Sequence, residues 1–147
     1  MLKAIVVDDE QQGRETIIGV IDNFCEDVAV TGSAASVDEA YTLIRQAPPD
    51  VLFLDVEMGT QSGFNLLEQL GEVGFEVIFV TAYDQYAIKA IKFCAIEYLL
   101  KPIDLDELKR AIEKVRENLE LKSFKRNFQA LLGNLRNSRP EEHKIAI

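Results

Sequence analysis

Four short apolar runs punctuate the chain: AIVV (4–7), VLFL (51–54), VIFV (77–80) and EYLL (97–100), with a weaker fifth, VAVTG (28–32). Each is continuous rather than alternating, the pattern of a strand buried on both faces. Helical spacing fills the intervals. Ile17, Ile21 and Phe24 recur at four and three residues. Ala40, Leu43, Ile44 and Ala47 follow Ser36, which has Glu39 three residues on, as a capping box requires. Leu66, Leu67 and Leu70 follow Gly63; Ala87, Ile88 and Ile91 mark a shorter helix. Leu105, Leu108, Ile112, Val115 and Leu119 mark a longer one. Strand and helix thus alternate five times. Such an order predicts an α/β domain, parallel strands joined by right-handed crossovers with helices on both faces of an open sheet. It should close near residue 121, where the fifth helix covers the last face.

The tail has another phase. From Leu121, apolar residues recur at Phe124, Phe128, Leu131 and Leu135, a 3-4-3-4 seam offset by two residues from the Leu108–Ile112–Val115–Leu119 stripe. Either the helix bends or ends near 120, or it continues with a rotated apolar face. GNLRNSRPEEH reads as a linker, and HKIAI as the beginning of a strand, so the natural protein is expected to continue beyond 147.

Composition narrows the class. Apolar residues make up 48% and charged residues 28% of 147, enough for a full core, and the net charge of -9 argues against nucleic-acid binding by this chain alone. Cys25, Cys94 and the single His143 offer no zinc or disulfide framework, and both cysteines read as core residues. There is no signal-peptide pattern and no apolar run of membrane-spanning length, so the expectation is a soluble cytoplasmic protein without a membrane partner.

The informative chemistry follows the strands. AIVV runs into Asp8 and Asp9, VLFL into Asp55, VIFV into Thr81, and EYLL into Lys101. In an open parallel sheet, ligands bind beyond the carboxyl ends of the strands. Five residues spread over more than ninety positions are thereby expected in one crevice. Crowded carboxylates repel, and a hard divalent cation such as Mg²⁺ (or Mn²⁺) relieves them. Lys101 suits a phosphoryl oxygen or a carboxylate, Thr81 offers a hydroxyl, and an aspartate can act as nucleophile toward phosphorus. Taken singly, an Asp after a strand is a cap or turn residue and a Thr is structural; the joint pattern carries the reading.

The motifs VDDE, FLDVEM…SG, VTA and YLLKP resemble the receiver domain of bacterial two-component response regulators over residues 2–121. The resemblance implies a flavodoxin-like (CheY-like) (βα)5 fold with strand order 2-1-3-4-5. It implies that Asp55 accepts phosphate from a histidine kinase. Asp9, Asp55 and the backbone carbonyl of Glu57 would hold the metal, with Asp8 supporting mainly through water. Thr81 and Lys101 would engage the phosphoryl group, and Tyr98 would change rotamer with Thr81. A cis peptide between Lys101 and Pro102 is also implied. Glu57 and Tyr83 occupy the two positions that tune dephosphorylation. Where the family often has Pro, four residues after the phosphoacceptor, this chain has Gly59, and a more flexible loop is expected.

TAYDQYAIKAIKFCAIEYLLKPID further resembles the branch of receivers that carry a LytTR-type DNA-binding output domain. On that basis residues 1–121 are the receiver, 122–142 a helical extension and linker, and 143–147 the start of a truncated output domain through which alone DNA would be bound. The helix expected at 84–92, the strand at 96–100 and the helix at 104–121 would form the face that changes on phosphorylation. Lys89, Lys92, Asp104, Asp106, Glu107 and Arg110 could pair there across a two-fold homodimer, or simply form a solvated face. The 121–135 stripe is either a dimerising helix or one packed back on the domain. A phosphatase resembling the haloacid dehalogenase superfamily would need an Asp where Glu57 stands and an Asp pair late in the chain. A flavodoxin-like cofactor carrier is disfavoured by the acidic DDEQQG. A receiver acting only as an interaction module is disfavoured by the presence of all five residues.

Overall fold

The computed structural model describes residues 1–138. Its long strands are β1 (Leu2–Val7), β2 (Val28–Ala34), β3 (Val51–Leu54), β6 (Glu76–Thr81) and β7 (Glu97–Leu100). They form one parallel sheet in the order β2-β1-β3-β6-β7, the order 2-1-3-4-5 when only the long strands are counted. Helices α1 (Gln11–Phe24), α2 (Val37–Gln46), α3 (Gly63–Leu70), α4 (Ala87–Lys92) and α5 (Leu105–Ser138) connect and cover it. A two-residue pair, β4 (Glu57–Met58) with β5 (Gln61–Ser62), sits between β3 and α3.

In β1, β3 and β6 the apolar runs are continuous because both faces are buried. The edge strands depart from that expectation: only Leu99 of β7 and the two ends of β2, Val28 and Ala34, are buried, and Leu100 is exposed. All of β3 and the last four residues of β1 are inaccessible. One cluster joins Ile5, Leu52, Leu54 and Phe79 to Ala40 and Ile44 of α2 and Phe64 and Leu66 of α3. Ile17 and Ile21 of α1 and Leu108, Ile112 and Val115 of α5 are likewise buried. Phe24, expected on the same stripe as Ile17, is half exposed at the end of α1.

Several local expectations change. Ser36 caps α2 through Glu39 N, but the Glu39 carboxylate takes Ala35 N rather than closing the box on Ser36. α4 begins at Ala87 rather than 84, because Asp84–Ala87 is a turn closed by Ala87 N donating to Asp84 O. The α4 C-terminus is a Schellman motif, with Cys94 N donating to Ile91 O and Ala95 N to Ala90 O. Cys94 adopts the left-handed φ of 61° that this motif needs, and it is exposed, whereas Cys25 is buried. The expectation of two core cysteines therefore holds for Cys25 alone; a helix stop on the surface claims the other.

The chain forms one compact unit from Met1 to Val115 and a second from Arg116 onward. α5 is helical through to Ser138, so the GNLRNS expected as linker is helix, and the apolar phase changes without a break. The expected start of an output domain at 143–147, with His143, lies outside the described residues. No described helix is long and apolar enough to cross a membrane.

Candidate functional site

The carboxyl ends of β1 and β3 lie side by side, with Val7 opposite Leu54. The residues that follow are Asp8 and Asp9 on one strand and Asp55 on the other. Oxygen atoms of these three carboxylates lie within 4.8 Å of one another. β7, next to β6 at the same end, delivers Lys101.

Asp8 is completely buried. Its Oδ1 accepts from Glu10 N at 3.0 Å, so it serves the entry to α1, and its Oδ2 accepts from Lys101 Nζ at 2.7 Å. The resemblance implies Asp8 acting mainly through water; in the structure it is also ion-paired directly with Lys101. Asp9 is exposed and lines the open side of the site. Asp55 is buried, its Oδ2 3.0 Å from Lys101 Nζ. Its Oδ1 is buried without a hydrogen-bond partner among the described residues. An ionised oxygen left bare in this way is costly unless another group completes it.

Lys101 bridges Asp8 and Asp55 with its side chain a quarter exposed. Burial, the largest single influence, pulls its pKa down, but hydrogen bonds and charge from Asp8 and Asp55 together outweigh it, and the net direction is upward from 10.5. The peptide from Lys101 to Pro102 is cis.

Thr81 is fully buried, and its hydroxyl accepts a long bond from Tyr83 N. Tyr98 donates its hydroxyl to the carbonyl of Tyr83. Burial above all, with the charges of Asp84 and Asp55, raises the Tyr98 pKa. Thr81, Tyr83 and Tyr98 thus form a connected group at the ends of β6 and β7. A cavity of about 590 Å³ opens over the acids, lined by Asp9, Asp55, Glu57, Lys101 and Tyr83, and reaching Thr16 and Val20 on α1.

The short β4–β5 pair carries Glu57. Gly59 takes φ +66° in the two-residue hairpin turn between Met58 and Gln61. Ser62 then caps α3 in a full capping box with Asn65. Gly63 is tightly held: a Cβ there would lie 2.3 Å from the Asp55 carbonyl oxygen.

Three neighbours of the site escape a reading of the sequence. Gly13 packs against Asp8, where a Cβ would meet Oδ2 at 2.2 Å; a glycine inside a helix was the available signal. Arg14 Nη1 donates to the Asp8 carbonyl at 2.8 Å, and Tyr86 donates to Glu57 Oε2 at 3.4 Å. Neither has a local pattern that reveals it.

Three oxygen-bearing acids, one orphaned oxygen and an adjacent lysine fit a hard divalent cation beside a phosphate. The family model "Response regulator receiver domain" matches residues 4–113. The chain is 40% identical over 116 residues to an uncharacterized response regulatory protein of Vibrio cholerae, covering 78% of this chain and 48% of that one. It is 37% identical over 121 residues to the transcriptional regulatory protein BtsR of Salmonella typhimurium, covering 80% and 49%. With the sensory transduction protein LytT of Bacillus subtilis the identity is 29%, over all of this chain and 58% of that one. It therefore spans about half the length of the curated relatives it matches. The receiver domain of AraT from Geobacillus stearothermophilus superposes with a TM-score of 0.74 at 34% identity, covering 83% of this chain and 98% of that one. By its sheet order, its acidic crevice and the match over residues 4–113, the chain belongs to the response regulator receiver family.

Proposed function

We propose that this domain is a phosphorylation switch whose acceptor is Asp55 and whose phosphodonor is a histidine kinase. The observation that carries the proposal is the pair of Asp55 oxygens in different settings, Oδ2 on Lys101 and Oδ1 buried without a partner among the described residues, on a carboxylate grouped with those of Asp8 and Asp9. Asp9, Asp55 and the Glu57 carbonyl would hold Mg²⁺ (or Mn²⁺), with Asp8 in support. Once bound, the ion supplies charge that offsets the three carboxylates and the incoming phosphoryl oxygens.

An Asp55 carboxylate oxygen attacks phosphorus. The new P–O bond forms as the P–N bond to the donor imidazole breaks, and the electron pair leaves on that nitrogen. Lys101 is positioned to pass from the Asp55 carboxylate to a phosphoryl oxygen while keeping its bond to Asp8. Hydrolysis reverses the state when water attacks phosphorus, and Glu57 and Tyr83 flank that approach.

The signal would leave through Thr81 and Tyr98. A hydroxyl drawn toward the phosphoryl group leaves Tyr83 N, and the Tyr98 hydroxyl is anchored on the carbonyl of the same residue. The face of α4, β7 and the first turns of α5, with exposed Ile88, Ile91 and Leu100, is where the two states would differ and where phosphorylated copies would pair. On the division expected from the sequence, residues 1–121 are the receiver, 122–142 a linker, and 143–147 the start of a LytTR-type DNA-binding domain, with the site of action cytoplasmic. A relative named as a transcriptional regulatory protein supports a role in transcription, and one named as a sensory transduction protein supports a role in signalling.

Acetyl phosphate with Mg²⁺ should add one phosphoryl group to the native chain, read by intact mass, and none to Asp55→Asn. An unlabelled native chain, alongside a receiver that labels under the same conditions, would overturn the reading.

A further inference from the structure

The C-terminal part of α5 takes no part in phosphoryl chemistry, yet it carries the longest run of exposed large apolar side chains among the described residues. Leu121, Phe124, Phe128 and Leu131 are 49%, 65%, 52% and 58% exposed. Their 3-4-3 spacing makes them a and d positions of two heptads, and Leu135 continues the series. Lys122, Arg126 and Gln129 fall outside the seam, as solvent-facing positions should. Helix nucleation is already met, because the segment prolongs a helix that starts at Leu105.

We propose that residues 121–135 form a parallel, in-register coiled coil with a second copy of this chain. The flanking charges select that occupant. With Leu121 at a, Glu120 is at g and Lys125 at the following e. In a parallel pair each g faces the next e of its partner, so two Glu120–Lys125 pairs form by symmetry. In an antiparallel pair g faces g and e faces e, and these charges never meet. The next e position is Leu132, which widens the apolar seam instead of interrupting it. A chain of different sequence has no reason to match both the seam and the charge register. The association does not depend on the state of Asp55 and does not rest on the phosphoacceptor reading.

The test uses the full chain carrying Cys94→Ser, which leaves only the buried Cys25. Sedimentation equilibrium should give twice the 16.6 kDa chain mass without any phosphodonor. Leu121→Cys and Leu131→Cys, made separately, should each yield a disulfide-linked dimer on mild oxidation. Arg126→Cys, on the outer face, should yield none. Phe128→Asp should halve the sedimenting mass while leaving thermal unfolding of the receiver unchanged. Glu120→Lys should weaken association, and adding Lys125→Glu should restore it. A single-chain mass for the unmutated seam overturns the proposal. Cross-linking at only one of the two positions, or equally at Arg126→Cys, overturns the parallel register. A dimer that survives Phe128→Asp places the contact elsewhere and overturns it as well.

Discussion

Gly63 shows how closely the phosphoacceptor is packed. A methyl group there would stand 2.3 Å from a backbone oxygen of Asp55 and 2.9 Å from Leu54 Cγ, and a main-chain carbonyl cannot swing aside as a side chain can. Gly63→Ala should cost about 2 kcal/mol in a urea titration; an unchanged midpoint would mean the β3–α3 connection yields freely. Cys94 is the opposite case, a side chain where glycine is favoured. Its φ of 61° lies in the left-handed region, and no disulfide holds it among the described residues. Cys94→Gly should stabilise the domain by about 1 kcal/mol, and a loss of stability would show that the thiol makes compensating contacts. Lys101 and Tyr98 both have pKa values raised on folding, from 10.5 and 10.0. Protons are held more tightly in the folded state, so the stability each contributes is complete below its unfolded value and is lost as pH rises through the folded one. Stability should therefore fall above about pH 10. The fall should be shallower in Tyr98→Phe and Lys101→Met, as followed by urea midpoints across that range.

At the level of elements, the connection from β3 to α3 is built from three turn devices in succession. Gly59 closes the β4–β5 hairpin, Ser62 and Asn65 form a reciprocal cap, and Gly63 opens α3 against Asp55. Together they set where the Glu57 carbonyl stands relative to the acids. Ser62→Ala removes a side-chain acceptor from Asn65 N and should cost about 1 kcal/mol, measurable by thermal unfolding. The cap lacks the usual sequence signature because its third helical residue is Asn rather than Glu or Gln. Ser36, with Glu39 in place, was legible, although Glu39 reaches Ala35 N rather than the backbone of Ser36. α4 is short because a turn at Asp84–Ala87 uses up its first residues, a local competition that apolar spacing does not register.

For the molecule as a whole, the acid cluster sets folding against function. Burying Asp8 and Asp55 beside Asp9 costs stability, which Lys101 recovers in part. A ligand that binds only the folded site stabilises it by mass action, by about 2.7 kcal/mol at a hundred times its dissociation constant. Mg²⁺ should accordingly raise the melting temperature in a concentration-dependent manner, and Asp9→Ala should abolish most of the shift. An equal shift in Asp9→Ala would remove Asp9 from the ligand set.

The alternation of apolar runs with helical spacing was enough to determine the α/β architecture. Burial on both faces leaves a strand few polar positions, and such runs alternating with helical spacing fit a parallel sheet covered on each side. The five residues after the strands were legible for a related reason, since strand ends in such a sheet share one edge. Pairings across the fold were beyond the reach of the chain alone. Lys101 joining Asp8 to Asp55, and Tyr86 meeting Glu57, are contacts between residues 29 to 93 positions apart. No local pattern encodes them, because they depend on how the sheet and helices are placed in three dimensions. The same is true of Cys94, whose exposure follows from the way α4 ends and not from its hydrophobicity.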